Sequence, residues 1–124
     1  MPTREISRDR WPAFFDEFSR TRAGARVTVE IVDSPQADPR FACRRLPLVG
    51  IGYDAAGSGA GHIEIMAGTE ATDHVTHAIV QPIHVYHKDG AGLISDEVNE
   101  HEILEITAAE APRITFLRFE RAAT

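Results

Sequence analysis

Leu46-Pro-Leu-Val-Gly-Ile-Gly-Tyr-Asp-Ala-Ala-Gly-Ser-Gly-Ala-Gly-His-Ile-Glu-Ile-Met66 is the stretch whose reading decides the fold. An apolar run closes at Tyr53-Asp54, a Gly and Ala tract interrupts it, and alternation resumes at His62. That is the pattern of a β-hairpin. Successive strand residues point to opposite faces, so Ile63 and Ile65 are expected inward and His62 and Glu64 outward. Gly50 and Gly52 share one face of the first strand, which predicts a sharp bend or the close approach of a neighbour there. A sheet built this way needs a cover on its apolar side.

Upstream, Trp11, Phe14, Phe15 and Phe18 recur at the spacing of one helix face, and the expected helix runs over about 8–23. Ser7 is placed to cap its first turn, Pro12 tolerates the N-terminal turn, and Arg20, Arg22 and Gly24 suit its carboxyl end. Arg26 to Val32 alternates as a half-buried strand, with Val27, Val29 and Ile31 on one face. The Asp33 to Arg40 segment, with two prolines, reads as an exposed excursion. His77 to His87 is strand-like, and Pro82, which lacks an N–H, predicts an edge or a bulge near Gln81. Ser95 to Glu102 reads as an acidic, mobile loop. Glu102–Thr107 and Ile114–Phe119 pair as a terminal hairpin, with Leu104 and Ile106 inward. The last strand is apolar on both faces, as in a strand that closes a barrel or meets a second subunit.

The expected fold class is therefore mainly β with one N-terminal helix. The helix caps a bent antiparallel sheet, or a small barrel, of five to six strands spanning about 26–121. The 124 residues suit one domain covering 1–124. Neither a signal peptide nor a membrane span is read from the sequence, so no membrane partner and a cytoplasmic location are expected. The single Cys43 fits a reducing compartment. A net charge of −6 disfavours nucleic acid and anionic lipid, although the stretch through Arg26 holds six arginines against four carboxylates.

Candidate chemistry is sparse. His74 and His77 are three apart, and a single turn between strands would bring both rings together with Asp73 as a third metal ligand. His84 and His87 are also three apart, but on a regular strand they face opposite ways. Glu100-His101-Glu102 reads as solvated. Gly57-Ser-Gly-Ala-Gly lacks the lysine and helix start of a phosphate loop, and Ser58 lacks the strand-to-helix elbow of a hydrolase nucleophile. Neither a catalytic residue nor a cofactor site is read from these patterns.

Several blocks resemble a family of small bacterial proteins described as a domain of unknown function. These are Pro2 to Ser19 with its Arg-Asp-Arg-Trp-Pro-Ala-Phe-Phe-Asp-Glu-Phe-Ser run, Pro47-Leu-Val-Gly-Ile51, His77-Ala-Ile-Val-Gln-Pro82 and Leu117-Arg-Phe119. The resemblance covers nearly the whole chain and implies a single bacterial domain, without an activity or site residues. Architecturally, the helix followed by Val27-Thr-Val-Glu-Ile31, Leu48 to Asp54 and His62 to Met66 is similar to the first motif of Sm-like proteins, which form an SH3-like barrel. Asp54 would match the motif's acidic residue, but the turn has no Asn and Ile83-His-Val-Tyr86 lacks the Arg-Gly of the second motif. The function expected from these readings is a non-enzymatic binding or assembly module that self-associates through an edge strand or engages a protein partner. The alternatives are an Sm-like RNA binder using Arg4, Arg8, Arg10 and Arg20, and a metal-dependent enzyme or metalloprotein using Asp73, His74 and His77.

Overall fold

In the computed structural model the residues described are 3–34, 36–54, 61–70, 72–88, 102–109 and 113–120. They form one antiparallel sheet of eight strands: β1 (Thr3–Ile6), β2 (Arg26–Val32), β3 (Arg40–Asp54), β4 (His62–Ala67), β5 (Val75–Val80), β6 (Pro82–Lys88), β7 (Glu102–Ala108) and β8 (Ile114–Phe119). A short 3₁₀ turn at Arg8–Arg10 leads into helix α1 (Trp11–Thr21). The order across the sheet is β1-β6-β7-β8-β2-β3-β4-β5. The sheet is bent and does not close into a barrel, so the open form of the expected architecture is the one adopted.

The strand count exceeds the expected five to six for two local reasons. Thr3–Ile6, a polar lead in the sequence, pairs with β6 as a four-residue edge strand from Thr3↔Lys88 to Ile6↔Val85. The His77–His87 run is not one strand but two, because Gln81 adopts a positive φ of 55° and turns the chain between β5 and β6. A register shift between Pro82 and His84 sits where proline removes a ladder donor. The expected break at this point is present.

The bend lies in β3, whose Arg40–Pro47 half pairs with β2 and whose Leu48–Asp54 half pairs with β4. Two irregularities flank it: the β2-β3 register shifts between Val27 and Val29, opposite Arg45, and the β3-β4 register shifts between Leu48 and Gly50, beside the first glycine. Arg45 takes a φ of 57°, an uncommon conformation for a residue with a side chain. Its freed N–H donates to Thr28 Oγ1 at 3.1 Å, and its side chain pairs with Glu120 at 2.7 Å. Gly50 sits under Ser19, but a Cβ there would meet that side chain at an ordinary 3.8 Å, and Gly52 faces open space. Gly68 is different: at a φ of 133°, an added Cβ would lie 2.8 Å from the Asp73 carbonyl oxygen. Only glycine fits that turn.

Alternation sets the core. Val27, Val29, Ile63, Ile65, Leu104, Ile106 and Leu117 are buried, and His62 and Glu64 are only partly covered. Trp11, Phe15 and Phe18 seal this apolar face, with Phe14 half-buried beside them. Trp11 meets Tyr53 edge-on at 5.2 Å and donates its Nε1–H to the Ile6 carbonyl at 2.8 Å, tying β1 to the helix. Phe18 meets Phe119 edge-on at 5.2 Å. Ser7 precedes the 3₁₀ turn, but its side chain makes no capping bond; its carbonyl accepts from Arg10 N–H instead. Gly24 carries the left-handed turn after the helix, at a φ of 87°.

The helix also does the work of a strand. Where β2 ends alongside β3, the backbone of Ile51 has no strand partner on that side, and Ser19 takes both of its groups. Ile51 N–H donates to Ser19 Oγ at 2.8 Å, and the Ser19 hydroxyl donates to the Ile51 carbonyl at 3.1 Å. Just beyond, Gly24 N–H donates to the Leu48 carbonyl and Leu48 N–H to the Ala25 carbonyl. Ser19→Ala is expected to cost about 1–3 kcal/mol by leaving two covered backbone groups unpaired. A urea titration of the variant against the native chain measures it.

Candidate functional site

Two places on the sheet stand out, one at each edge. The first lies between α1 and the β1-β6 edge. The β6-β7 register sets His87 opposite Leu104, and β1 sets Arg4 opposite His87, so His87 faces inward under the helix while His84 faces outward. His87 is 8% exposed, and its Nε2 lies 2.6 Å from Oε2 of Glu102. Arg22, just past the helix end, grips the same carboxylate with two donors, Nε to Oε1 at 2.6 Å and Nη2 to Oε2 at 2.5 Å. Phe14 and Phe18 each lie edge-on to the His87 ring at 5.9 Å, and the Arg22 guanidinium covers the Phe18 face at 4.0 Å.

Burial alone would push the Glu102 carboxyl up. The hydrogen bonds from His87 and Arg22, with the Arg22 charge, outweigh it and bring the carboxyl down to about 2. An ionised carboxylate only accepts, so His87 carries its proton on Nε2. Glu102 is therefore the half-buried first residue of β7, paired with Arg22 and hydrogen-bonded to His87, and not part of a solvated acidic run. Glu100 and His101 lie outside the described residues, as do Ser95 to Asn99 and the Gly57–Ala60 part of the hairpin turn.

A cavity of about 260 Å³ opens beside this cluster, walled by Phe14, Phe18, Arg22 and His87, with Arg4 and Glu17 at its margin. A second, of about 410 Å³, continues from it between α1 and β1 and shares Arg4, Phe14 and Glu17 while adding Arg10. Among the described residues, the Arg4, Arg10 and Glu17 side chains make no hydrogen bond or ion pair. Arg8 differs from its neighbours: it donates to the Pro82 carbonyl at 2.9 Å and lies over the Trp11 ring at 4.4 Å.

The second place is the opposite edge, β5. Because Ile51 turns its N–H and C=O to Ser19, Ile65 opposite it turns its own to β5, where it faces His77. The Gln81 N–H to Gly61 carbonyl bond, at 3.1 Å, fixes the same alternation. Val75, His77 and Ile79 thus bond to β4, while Thr76, Ala78 and Val80 direct their N–H and C=O groups to the open side. No described backbone group pairs with them there. Val80 is 59% exposed, and Thr76 and Ala78 are exposed as well.

Asp73, His74 and His77 are not brought together. Asp73 ties the preceding turn, accepting from Thr69 Oγ1 at 2.6 Å and from the Thr69 and Glu70 N–H groups, and the Thr69 hydroxyl lowers its pKa most. His74 is exposed, 3.1 Å from Thr76 Oγ1, whereas His77 points to the interior, 3.4 Å from Thr115 Oγ1. Burial, then the charge of Arg40, depresses the His77 pKa. Among the described residues no cluster of three His, Cys, Asp or Glu side chains could hold a metal ion. Cys43 is free and buried, and burial raises its thiol pKa.

The fold and these two edges define a class: a mainly β domain in which one N-terminal helix caps the inner face of a bent, open antiparallel sheet. Within that class, the chain belongs to the family of unknown function DUF5335, whose model matches residues 2–123. No curated protein and no solved structure matches it. Among the described residues no helix is long and apolar enough to cross a membrane.

Proposed function

We propose that this protein is a cytoplasmic, non-enzymatic assembly module that pairs with a second copy of itself along β5. The contrast between its two sheet edges carries the reading. Folded proteins blunt sheet edges with short strands and charges, because open backbone groups recruit other strands. Edge strand β1 uses both devices, being four residues long and bearing Arg4 and Glu5. Edge strand β5, Val-Thr-His-Ala-Ile-Val, uses neither.

An isologous antiparallel pair suits this strand. With Ala78 on the two-fold axis, Thr76 lies opposite the partner's Val80, and the three outward-facing residues of each strand bond to three of the other. On the outer face the small Ala78 then meets its own copy, flanked by Val80 and Thr76 packed across the seam. The buried free thiol of Cys43 agrees with a reducing compartment.

Sedimentation equilibrium at high micromolar concentration tests this. The native chain is expected at about twice its 13.7 kDa mass, and Ala78→Lys, which sets two ammonium groups face to face at an exposed site, at one mass with an unchanged melting curve. A native chain that stays at 13.7 kDa, or an Ala78→Lys variant that still dimerises, overturns the reading.

A further inference from the structure

The groove between α1 and β1 lies at the far edge of the sheet from β5, and nothing in the assembly reading uses it. Two arginines, Arg4 and Arg10, and two carboxylates, Glu5 and Glu17, line it. Glu5 is taken by His84 at 2.7 Å, whereas Arg4 and Arg10 form no ion pair among the described residues. Glu17 shares both cavities with Arg4 but forms no pair with it within 4.0 Å. An arginine fork in this position is uncommitted.

The inner end of the groove is apolar and aromatic. Phe14 and Phe18 stack on one another at 5.4 Å and flank His87, so three rings line the 260 Å³ cavity. These rings are fixed. His87 is held through Nε2 by Glu102, Glu102 is gripped by Arg22, and Arg22 sits over the Phe18 ring at 4.0 Å. The result is a rigid aromatic wall beside a free guanidinium, the two components that recognise a flat apolar body ending in an anion.

We propose that this groove is a binding site for a small organic carboxylate with an apolar, ring-sized body. The carboxylate meets the Arg4 guanidinium at the rim, where Arg10 adds a second positive charge. The body lies against Phe14, Phe18 and His87. A planar carboxylate accepts two parallel N–H bonds from one guanidinium, so Arg4 supplies direction as well as charge. The cavity volume sets the size class, since about 260 Å³ holds a single ring with a short tail.

The test uses 3-phenylpropionate as the probe and 3-phenylpropionamide, its neutral isostere, as the control. Each is titrated into the isotopically labelled chain at low salt, and the ring resonances of His87, Phe14 and Phe18 are followed. Saturable shifts of these three residues are expected with the acid, at a dissociation constant on the order of 1 mM for so small a probe. The amide should bind about ten-fold more weakly, because the charge-assisted bonds are lost. Arg4→Met should reduce affinity for the acid by a similar factor while leaving the melting curve unchanged, since Arg4 is exposed and unpaired. Raising the salt should weaken the acid and not the amide. Absence of shifts with either compound, equal affinity for acid and amide, or an Arg4→Met variant that binds the acid as the native chain does would overturn the proposal. Shifts confined to residues away from the groove would do so too.

Discussion

Trp11→Ala is expected to lower stability by about 3–5 kcal/mol. The ring is 1% exposed, and three separate contacts depend on it. It fills the space between helix and sheet, packs edge-on against Tyr53, and donates to the Ile6 carbonyl from within its own leader segment. Losing it opens a cavity and also loosens β1, which is otherwise held by its ladder to β6, by buried Ile6 and by the Glu5–His84 pair. Against a typical total of about 5–15 kcal/mol, such a loss leaves the fold marginal. Equilibrium urea unfolding of the variant measures it. Trp11→Phe keeps most of the volume and loses the hydrogen bond, so its cost should fall between those of the native chain and the alanine variant. A Trp11→Ala midpoint close to the native one would show that the helix is not what seals the sheet.

Glu102 governs the second large effect, which appears in acid. Its carboxyl is held at about 2 in the folded chain, against an ordinary 4.5. A depressed folded pKa means that stability is fully present above pH 4.5 and is lost as pH falls through the window down to about 2. The full loss is on the order of 3 kcal/mol. Glu102→Gln removes the charge that Arg22 and His87 share, so the variant should be less stable at neutral pH and should lack that acid slope. Urea midpoints at several values between pH 7 and pH 2.5 check both points. A native chain whose midpoint is flat across this window would mean that the pair does not hold the carboxylate ionised.

The periodicity of the sequence carried most of the architecture. Trp11, Phe14, Phe15 and Phe18 marked the helix and its buried face, and Ile63 and Ile65 were legible as inward residues because a period of two leaves no freedom once a face is buried. β1 was not legible: Thr-Arg-Glu-Ile has no alternation to read, and it is a strand only because β6 lies beside it. Gly50 and Gly52 flagged a sharp bend or a close approach, and the register does shift beside Gly50, under Ser19, but the positive φ of Arg45 gave no local signal: Thr28 on β2 and Glu120 beyond β8 hold it. Propensity gave way there to tertiary context.

The groove was the least visible feature. Alternation put His84 and His87 on opposite faces without saying which is inward, and the companions of His87 come from three distant places: Glu102 from β7, Arg22 from the end of the helix and Arg4 from β1. No local spacing relates them. Glu102 was read both as the end of an acidic run and as the first residue of the Glu102–Thr107 strand, and the β7-β8 register, which sets it opposite Phe119, shows that it opens the strand. The β5 edge was half visible, since Pro82 flagged an interruption, yet the uncovered strand proved to be the segment before it.

The position of β8 has a further meaning for how the chain comes to be folded. Among the described residues it is the last strand in order, but it lies in the middle of the sheet, between β7 and β2. Until the ribosome has released it, β2 to β5 on one side and β1, β6 and β7 on the other share no ladder, and each half exposes an interior strand. The two halves therefore join their ladders only once β8 is in place, a topology that favours slow, all-or-none consolidation and leaves nascent halves dependent on whatever shields them in the interval.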